Sequence, residues 1–388
     1  MDLIVTANQL FTPLERIEHP LVFVEDGKIV ELVSRQAREA SRGTRLLDLG
    51  DACLVPGFID VHIHGGAGHD VMESDPGALS AVEQLLYRHG VTSYLPTTIT
   101  APLDETLKAV DRLAKAIESA SQGKEKGLRA RPVGIHLEGP FISHIRRGVH
   151  PPENILPPTL ETFQKLWEAA SGCVKVITIA PEVDEAGAVI AEATARGVCV
   201  SMGHSDADLK AAQNGVAAGA RHATHTFNAM RPLDHRDPGI LAVVLMDDRI
   251  SAEIIVDGIH VDPVIVQLFL RAKGVDGAVL VTDGTAATGM PNGHYRLGSL
   301  DVEVKDGKCT ADGKLAGSVL TMDKAVQNVM KFANCELQHA VRLATLNPAR
   351  TVGLVPQSGA IAVGAFADMV ALTPRGEVRT TIVRGEVA

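Results

Sequence analysis

The chain has 388 residues, of which 45% are hydrophobic, 22% are charged and only 3% are aromatic, as in a globular protein with a large aliphatic core. Its formal net charge of -10 argues against a nucleic-acid partner, because phosphate backbones favour a basic surface. The length exceeds that of an average domain and suits an α/β barrel that carries a small second domain.

The cysteines and the start of the chain indicate the compartment. The five cysteines are widely spaced without a Cys-x-x-Cys pair, which predicts buried thiols rather than a zinc finger or a disulfide framework. No basic segment precedes a long apolar run at the start, and no window approaches 18 uninterrupted apolar residues. We therefore expect a cytoplasmic protein with no membrane partner.

Both ends of the chain predict β structure. In the first 55 residues short β-rich runs alternate with turns, and Asp26-Gly27 is typical of a hairpin. From Gly359 onward β-type alternation returns without helices. We expect residues 1–55 and 356–388 to form one small β-sandwich domain.

After Pro56-Gly57 short apolar runs alternate with helical patterns, which is typical of βα units around a parallel sheet. Helices are predicted over residues 76–88 and 206–218, each with an N-terminal acid and a closing glycine. The predicted strands cover residues 58–62, 91–97, 132–138, 174–179, 198–203, 223–227, 251–256 and 278–283. Eight such strands indicate the α/β class and a (β/α)8 TIM-like barrel over residues 56–355.

The stretch over residues 294–317 interrupts this pattern. Asp306-Gly307 and Asp312-Gly313 predict hairpin turns, and helical character returns at residues 323–332. We expect this stretch to be an insertion near the mouth of the barrel.

Side chains able to bind a metal stand at the ends of several predicted strands. Glu138, His204 and His225 would supply one carboxylate and two imidazoles, a set that suits a catalytic Zn²⁺ with an open position for water. A lone histidine is more often structural, but all three residues fall at the strand ends where barrels carry out their chemistry. The sequence therefore predicts a shared metal site.

Three further residues belong to this pattern. His62 and His64 leave the first barrel strand on the same face, because side chains alternate along a strand. They would form a second metal site bridged by Glu138, or a merely structural pair, and both interpretations stay open. Asp283 ends an apolar strand, where a carboxylate is unfavourable unless it is paired, metal-bound or kept for proton transfer.

Motifs occur in order over nearly the whole chain: His-Leu-Glu-Gly-Pro-Phe (136–141), Gly-His-Ser (203–205), Thr-His-Thr-Phe-Asn-Ala-Met (224–230), Arg-Asp-Pro-Gly (236–239), Asp-Gly-Ile-His (257–260) and Val-Thr-Asp-Gly (281–284). Together they resemble the N-acetylglucosamine-6-phosphate deacetylase family of the amidohydrolase superfamily. The segment 56–65 and Asn-Pro-Ala (347–349) are similar to the superfamily at large.

The resemblance implies hydrolysis of the acetamide of N-acetyl-D-glucosamine 6-phosphate to D-glucosamine 6-phosphate and acetate, in amino-sugar catabolism and cell-wall recycling. It assigns the metal to Glu138, His204 and His225, with Zn²⁺ expected, Fe²⁺, Mn²⁺ or Co²⁺ as alternatives, and one or two ions per subunit. The implied nucleophile is metal-bound hydroxide, since a metal lowers the pKa of water from 15.7 to about 7. Asp283 would be general base and then general acid, returning the proton to the departing nitrogen.

The resemblance also implies the substrate contacts. His150 corresponds to a catalytic histidine near the acetyl and sugar oxygens, where it would polarise the carbonyl. Asn228 and Ala229 correspond to a turn that holds the substrate, and Arg236 and His260 to phosphate-binding residues. In the family this arginine reaches the neighbouring active site, which implies a homodimer.

Other functions stay open at this point. An N-acetylgalactosamine-6-phosphate deacetylase would differ in only a few hydroxyl contacts. A cyclic-amide hydrolase or a nucleobase deaminase of the same superfamily would need no phosphate-binding site. A non-catalytic sugar-phosphate sensor would gain little from Asp283.

Two departures from relatives bear on the metal. Many members of the family lack the paired histidines and work with one metal, so His62 and His64 leave the metal count open. Two-metal members of the wider superfamily often use a carbamylated lysine after strand four, whereas Lys175 stands well before that strand end. Glu138 is the expected bridging ligand instead.

Overall fold

The computed structural model describes residues 2–35, 45–123 and 127–387. Within them, eight parallel strands form the central sheet, and we number them barrel strands 1 to 8: Phe58–Ile63, Val91–Thr98, Ile135–Glu138, Val174–Ile179, Cys199–Met202, His222–Ala223, Ser251–Ile255 and Ala278–Val281. Each strand pairs with the next one in the chain. The ring closes where the Asp283 N–H donates to the His62 carbonyl (2.9 Å) and Ile63 bridges Gly284.

Helices surround the barrel, as expected when both faces of a parallel sheet are covered. The α-helices are Ala78–Arg88, Leu103–Ser121, Leu160–Ala169, Ala186–Ala195, Leu209–Ala218, Gly239–Met246, Pro263–Gly277, Met322–Ala333, Leu337–Ala344 and Leu346–Thr351, and a 3-10 turn covers Pro152–Asn154. Because helices cover their outer face and side chains fill the interior, strands such as Ala278–Val281 are buried along their whole length. The predicted barrel class is confirmed.

The ends of some predicted elements were wrong. Barrel strand 6 stops at Ala223 instead of continuing to residue 227, because His225 (φ 26°) and Phe227 (φ 80°) adopt left-handed backbone conformations that a strand excludes. The helix predicted from residue 206 begins at Leu209, where the Asp208 carboxylate accepts a hydrogen bond from the Ala211 N–H (2.7 Å). Left-handed residues end the strand early, and the Asp208 cap starts the helix late, so both elements are shorter than predicted.

Both termini build the satellite domain, as predicted. One sheet contains Leu3–Thr6, Pro20–Glu25, Lys28–Ser34 and Leu46–Asp48, and the other contains Gln9–Phe11, Arg16–Glu18, Cys53–Pro56, Met369–Leu372 and Val378–Ile382. The C-terminal strand Met369–Leu372 pairs antiparallel with Cys53–Pro56. The satellite strand Cys53–Pro56 runs one residue past the predicted boundary between residues 55 and 56.

The insertion after barrel strand 8 is a four-stranded antiparallel sheet of Gly293–Leu297, Leu300–Lys305, Lys308–Ala311 and Lys314–Leu315. Its Leu297 packs in one apolar cluster with Ile99, which follows barrel strand 2, and with Val149. The Gly298 N–H donates to the buried Asp70 carboxylate (2.7 Å). Two short paired strands, Gly65–Gly66 and His69–Asp70, lie beside the insertion at the mouth of the barrel. The short strand Arg131–Pro132 pairs with barrel strand 2.

All five cysteines are free, but the prediction that they are buried was wrong for three of them. Cys53 and Cys309 are buried, whereas Cys173, Cys199 and Cys335 are partly accessible because they lie near the ends of elements. In the described part of the chain no helix combines the length and apolar character that crossing a bilayer requires.

Candidate functional site

Three side chains converge above the centre of the barrel. Glu138 Oε1 lies 3.1 Å from His204 Nε2 and 3.0 Å from His225 Nε2, and the two nitrogens are 3.1 Å apart. Ligands about 2.0–2.1 Å from a tetrahedral ion are separated by roughly 3.3 Å. The spacing therefore fits three ligands of one divalent cation.

Strand register explains this convergence. Met202 of barrel strand 5 pairs with Ala223 of barrel strand 6, and each of the two histidines follows its strand by two residues. His204 (φ 46°) and His225 (φ 26°) both adopt left-handed backbone conformations, which end the strands at that point. Glu138 is the last residue of barrel strand 3 and is 3% exposed.

The hydrogen bonds of the outer ring nitrogens suit metal binding. His204 Nδ1 lies 3.0 Å from the Arg146 carbonyl, so it carries a proton, and Nε2 is the nitrogen that faces Glu138. His225 Nδ1 is buried and finds no hydrogen-bond partner within the described residues. Its Nε2 therefore provides the only polar contacts that this ring makes there.

A second cluster adjoins the first. His62 Nε2 and His64 Nε2 are 3.3 Å apart, and His64 Nε2 lies 3.2 Å from Asp283 Oδ1. The two oxygens of Glu138 face both clusters: Oε1 is 3.4 Å from His62 Nε2, and Oε2 is 3.3 Å from His64 Nε2. Glu138 is thus positioned to bridge two cations.

Electrostatics also favour a cation at this place. Burial opposes ionisation of Glu138, but His62 and His204 hold the pKa of its carboxyl well below the usual range. Burial likewise opposes ionisation of Asp283, whereas the hydrogen bond from His64 lowers its pKa. The ion-pair partners of both carboxylates in the described part of the chain are histidines, so bound metal can take over the balancing charge.

His150 lies beside the first cluster and is 2% exposed. Burial and the neighbouring His204 lower the pKa of its imidazole to about 4, so the ring is neutral at pH 7. His150 Nε2 lies 3.4 Å from Glu138 Oε2, which can only accept a hydrogen bond, so the ring proton is assigned to Nε2. Nδ1 then accepts from the Thr100 hydroxyl (2.8 Å) and, more weakly, from the Thr100 backbone N–H (3.4 Å). His150 can therefore donate a hydrogen bond into the site.

A cavity of about 200 Å³ opens onto both clusters. It is lined by His64, Ile99, Glu138, Gly148, Val149, His150, His204, His225, Asn228, Ala229, His260, Asp283, Leu297, Leu315 and Gly317. His260 Nδ1 lies 2.7 Å from Asp257 Oδ2, and although burial opposes protonation this partner raises the pKa of His260.

Two predicted site residues do not line this cavity: His62, which is fully buried, and Arg236. Arg236 is far more accessible than His62. It lies in an exposed loop, where its backbone N–H donates to Asp234 Oδ1 (2.8 Å). Within one chain, therefore, the arginine is separate from the other candidate residues.

Several residues that shape the site were not predicted from the sequence. Glu253 in barrel strand 7 is fully buried and bonds His62 Nδ1 (2.9 Å). An acid in the middle of an apolar strand was the feature that could have revealed it. Leu297 and Leu315 reach the cavity from the insertion, which no local pattern indicates.

Comparisons with known proteins identify the family of the chain. The amidohydrolase family model matches residues 53–388. An N-acetylglucosamine-6-phosphate deacetylase of Bacillus subtilis is 36% identical over 388 residues, which cover 100% of this chain and 97% of that protein. The human N-acetylglucosamine-6-phosphate deacetylase is 37% identical and covers 94% of this chain, with 90% of its own length matched.

Solved structures give the same result. A Mycobacterium smegmatis N-acetyl-D-glucosamine-6-phosphate deacetylase mutant in complex with N-acetyl-D-glucosamine-6-phosphate superposes with a TM-score of 0.92 at 33% identity, covering 99% of this chain and 98% of the other. The Thermotoga maritima N-acetylglucosamine-6-phosphate deacetylase gives a TM-score of 0.86 at 33% identity, covering 98% and 97%. The chain belongs to the amidohydrolase family and, within it, to the N-acetylglucosamine-6-phosphate deacetylases.

Proposed function

We propose that the chain is a metal-dependent hydrolase that converts N-acetyl-D-glucosamine 6-phosphate to D-glucosamine 6-phosphate and acetate. The observation that carries this proposal is the convergence of Glu138, His204 and His225 within 3.1 Å of one another. Family membership supports the substrate, since the matched relatives bear this activity in their names.

Glu138, His204 and His225 would hold the first divalent cation, with Zn²⁺ as the proposed ion, and His62, His64 and Asp283 would surround the second. When bound, the metal supplies a nucleophilic water of lowered pKa and polarises the carbonyl. Two imidazoles and a carboxylate around an open cavity are a donor set of the kind found in catalytic zinc sites.

Asp283 would move the proton. Its carboxylate is held ionised beside His64 and borders the cavity, so it can accept a proton from the attacking water. The same carboxyl group can return that proton to the sugar nitrogen as the C–N bond breaks. An amine leaves poorly without this proton, so one group serves both halves of the reaction.

His150 would stabilise the developing charge on the acetyl oxygen. The neutral ring carries its proton on Nε2, which is the atom that faces the cluster. A hydrogen bond aimed at the position of the oxyanion is stronger in the transition state than in the ground state. This difference in hydrogen-bond strength between the two states lowers the activation barrier.

Substrate binding would require a second copy of the chain. Asn228, Ala229 and His260 line the cavity and would hold the sugar and its phosphate. Arg236 is exposed and outside the cavity of its own chain, which agrees with a role in the neighbouring subunit of a homodimer. We further propose a cytoplasmic enzyme with a satellite domain of residues 1–55 and 356–388 and a barrel of residues 56–355.

An acetate-release assay on metal-loaded enzyme tests the function. N-acetylglucosamine 6-phosphate should be the preferred substrate, with unphosphorylated N-acetylglucosamine, N-acetylgalactosamine 6-phosphate and a cyclic amide as comparisons. Equal rates with and without the phosphate would refute the sugar-phosphate assignment. A faster rate with N-acetylgalactosamine 6-phosphate would instead identify that sugar phosphate as the substrate.

A further inference from the structure

Glu253 occupies a position that none of the assigned roles explains. It lies in barrel strand 7, is fully buried, and bonds with both carboxylate oxygens. Oε2 lies 2.9 Å from His62 Nδ1 and 3.0 Å from the His225 backbone nitrogen, and Oε1 lies 3.1 Å from His222 Nε2. Burial of a carboxylate is unfavourable unless it is hydrogen-bonded, and these three partners satisfy the Glu253 carboxylate. We therefore expect Glu253 to have a specific role.

We propose that Glu253 is a positioning residue for the second divalent-cation site, where it fixes the tautomer and the orientation of His62. This inference rests on the proposed metal-dependent function and extends it to a residue that would not touch the metal or the substrate. Its ligand class is a divalent cation bound by His62, His64, Glu138 and Asp283.

The hydrogen bond between Glu253 and His62 fixes which ring nitrogen of His62 carries a proton. An ionised carboxylate only accepts hydrogen bonds, so the His62 Nδ1 that it contacts must carry a proton. Nε2 of His62 is then the nitrogen that faces His64 (3.3 Å) and Glu138 (3.4 Å) and is available to a metal. Such a carboxylate–histidine pair also raises the basicity of the ligating nitrogen.

The other imidazole of this site is fixed by a different group. His64 Nδ1 lies 3.0 Å from the Thr97 carbonyl of barrel strand 2, so its Nε2 is likewise free to bind metal. Glu253 is thus the one side chain in the described residues that hydrogen-bonds to His62 Nδ1. Removing it leaves His62, alone of the pair, without a fixed tautomer.

Glu253 touches the first site only through the backbone. It accepts from the His225 N–H with its side chain and from the Thr226 N–H with its carbonyl (2.9 Å). The Asn228 N–H independently donates to the His225 carbonyl (3.0 Å), so this turn has a second support. Loss of the Glu253 carboxylate should therefore weaken the second site much more than the first.

Zn²⁺ binding to the metal-free full-length protein tests the proposal in Glu253→Ala and Glu253→Gln. Competition with a chromophoric chelator gives the affinity of each site, and elemental analysis gives the ions per chain. We expect two Zn²⁺ per wild-type chain, and a second-site affinity about 10–100-fold weaker in Glu253→Ala. Glu253→Gln keeps an oxygen that can accept from His62, so its loss should be smaller.

Glu83→Ala is the matched control. Glu83 is also a buried carboxylate (2% exposed), but its partners Tyr94 and Arg129 do not line the cavity. This variant should bind two Zn²⁺ with normal affinity even if it is less stable. Should Glu253→Ala not fold, the isosteric glutamine variant carries the comparison.

Three outcomes would overturn the proposal: a wild-type chain that takes up one Zn²⁺ at saturation, Glu253 variants with unchanged second-site affinity, or equal weakening of both sites. None of these measurements uses the substrate, so they stand apart from the acetate-release assay. An enzyme that failed that assay but lost its second Zn²⁺ in Glu253→Ala would contradict the proposed reaction and support this inference.

Discussion

At the scale of residues, the site depends on which nitrogen of each histidine carries a proton. His62, His64 and His204 each direct Nδ1 to an acceptor outside the cluster and leave Nε2 for the interior. His150 has the opposite arrangement, since Thr100 donates to its Nδ1. The first three are therefore suited to bind a cation, and the fourth is suited to donate to a substrate.

The proton-transfer role of Asp283 predicts the effect of Asp283→Asn. Asparagine keeps the shape of the side chain but cannot accept the proton of the attacking water, so kcat should fall by at least about 10²–10⁴-fold. Zn²⁺ bound through Glu138, His204 and His225 should remain, as elemental analysis can check. A variant with near-normal kcat would refute the role.

Arg236→Ala should raise KM for the phosphorylated substrate more than it lowers kcat, because the phosphate is bound alike in the ground and transition states. Steady-state kinetics measures the two effects separately. Arg375→Ala is the control, because this arginine is also exposed but lies beyond the satellite strand Met369–Leu372. A dominant loss of kcat would contradict a binding role for Arg236.

At the scale of elements, ligands lie where strands stop. Gly203 separates the end of barrel strand 5 from His204, and a Cβ at this position would lie 2.6 Å from Thr224 Cβ. Thr224 cannot easily move, because its hydroxyl lies 2.6 Å from Ser201 Oγ and 2.7 Å from Thr178 Oγ1. The close packing of strand exits thus fixes the histidine that follows.

Gly203→Ala should consequently destabilise the protein by about 1–3 kcal/mol and weaken Zn²⁺ binding, since overpacking shifts the backbone beside His204. Urea unfolding and metal content measure the two effects. Gly187→Ala is the matched control: nothing lies within 4 Å of its added methyl group, and it lies in the helix Ala186–Ala195. Alanine there should stabilise by about 0.5–1 kcal/mol. Equal effects of the two substitutions would rule out the packing argument.

The sequence predicts those parts of the fold that depend on local periodicity. Apolar runs separated by helical patterns located all eight barrel strands, and turn residues located the insertion. Periodicity did not reveal that strand 6 stops at Ala223, because the reason is the left-handed conformation at His225. Backbone conformation at non-glycine positions leaves little trace in residue type.

For the site, residue type and strand position were sufficient to select side chains that the structure brings together, such as Glu138, His204 and His225. They were insufficient for Glu253, whose partners His62 and His222 come from other strands. Long-range pairing is set by strand register, and register follows from the closed barrel rather than from any one segment.

At the scale of the whole molecule, the contacts that close the barrel lie beside the site. The Asp283 N–H donates to the His62 carbonyl, and the Asp60 carboxylate accepts from the Thr282 hydroxyl (2.6 Å). Both bonds join barrel strand 8 to barrel strand 1, and each lies within a residue or two of a proposed ligand. Metal binding should therefore stabilise the ring as a whole.

Metal removal tests this coupling. Dialysis against a strong chelator should abolish acetate release and lower the melting temperature by several degrees, and both should recover on addition of Zn²⁺. The physical reason is linkage: a ligand at 100 times its Kd stabilises the native state by about 2.7 kcal/mol. Metal-free protein also leaves Glu138 and Asp283 balanced by histidines alone.

Differential scanning calorimetry with and without Zn²⁺ measures the shift. A His204→Ala, His225→Ala double variant is the control, because it lacks the first-site imidazoles and keeps the second site, so its response to Zn²⁺ or chelator should be smaller than that of the wild type. If neither Zn²⁺ nor the chelator changes the melting temperature of the wild-type protein, metal binding does not stabilise the barrel. A shift in the wild type that exceeds the shift in the double variant would show that the first cation, held by residues at the ends of barrel strands 3, 5 and 6, contributes to the stability of the ring.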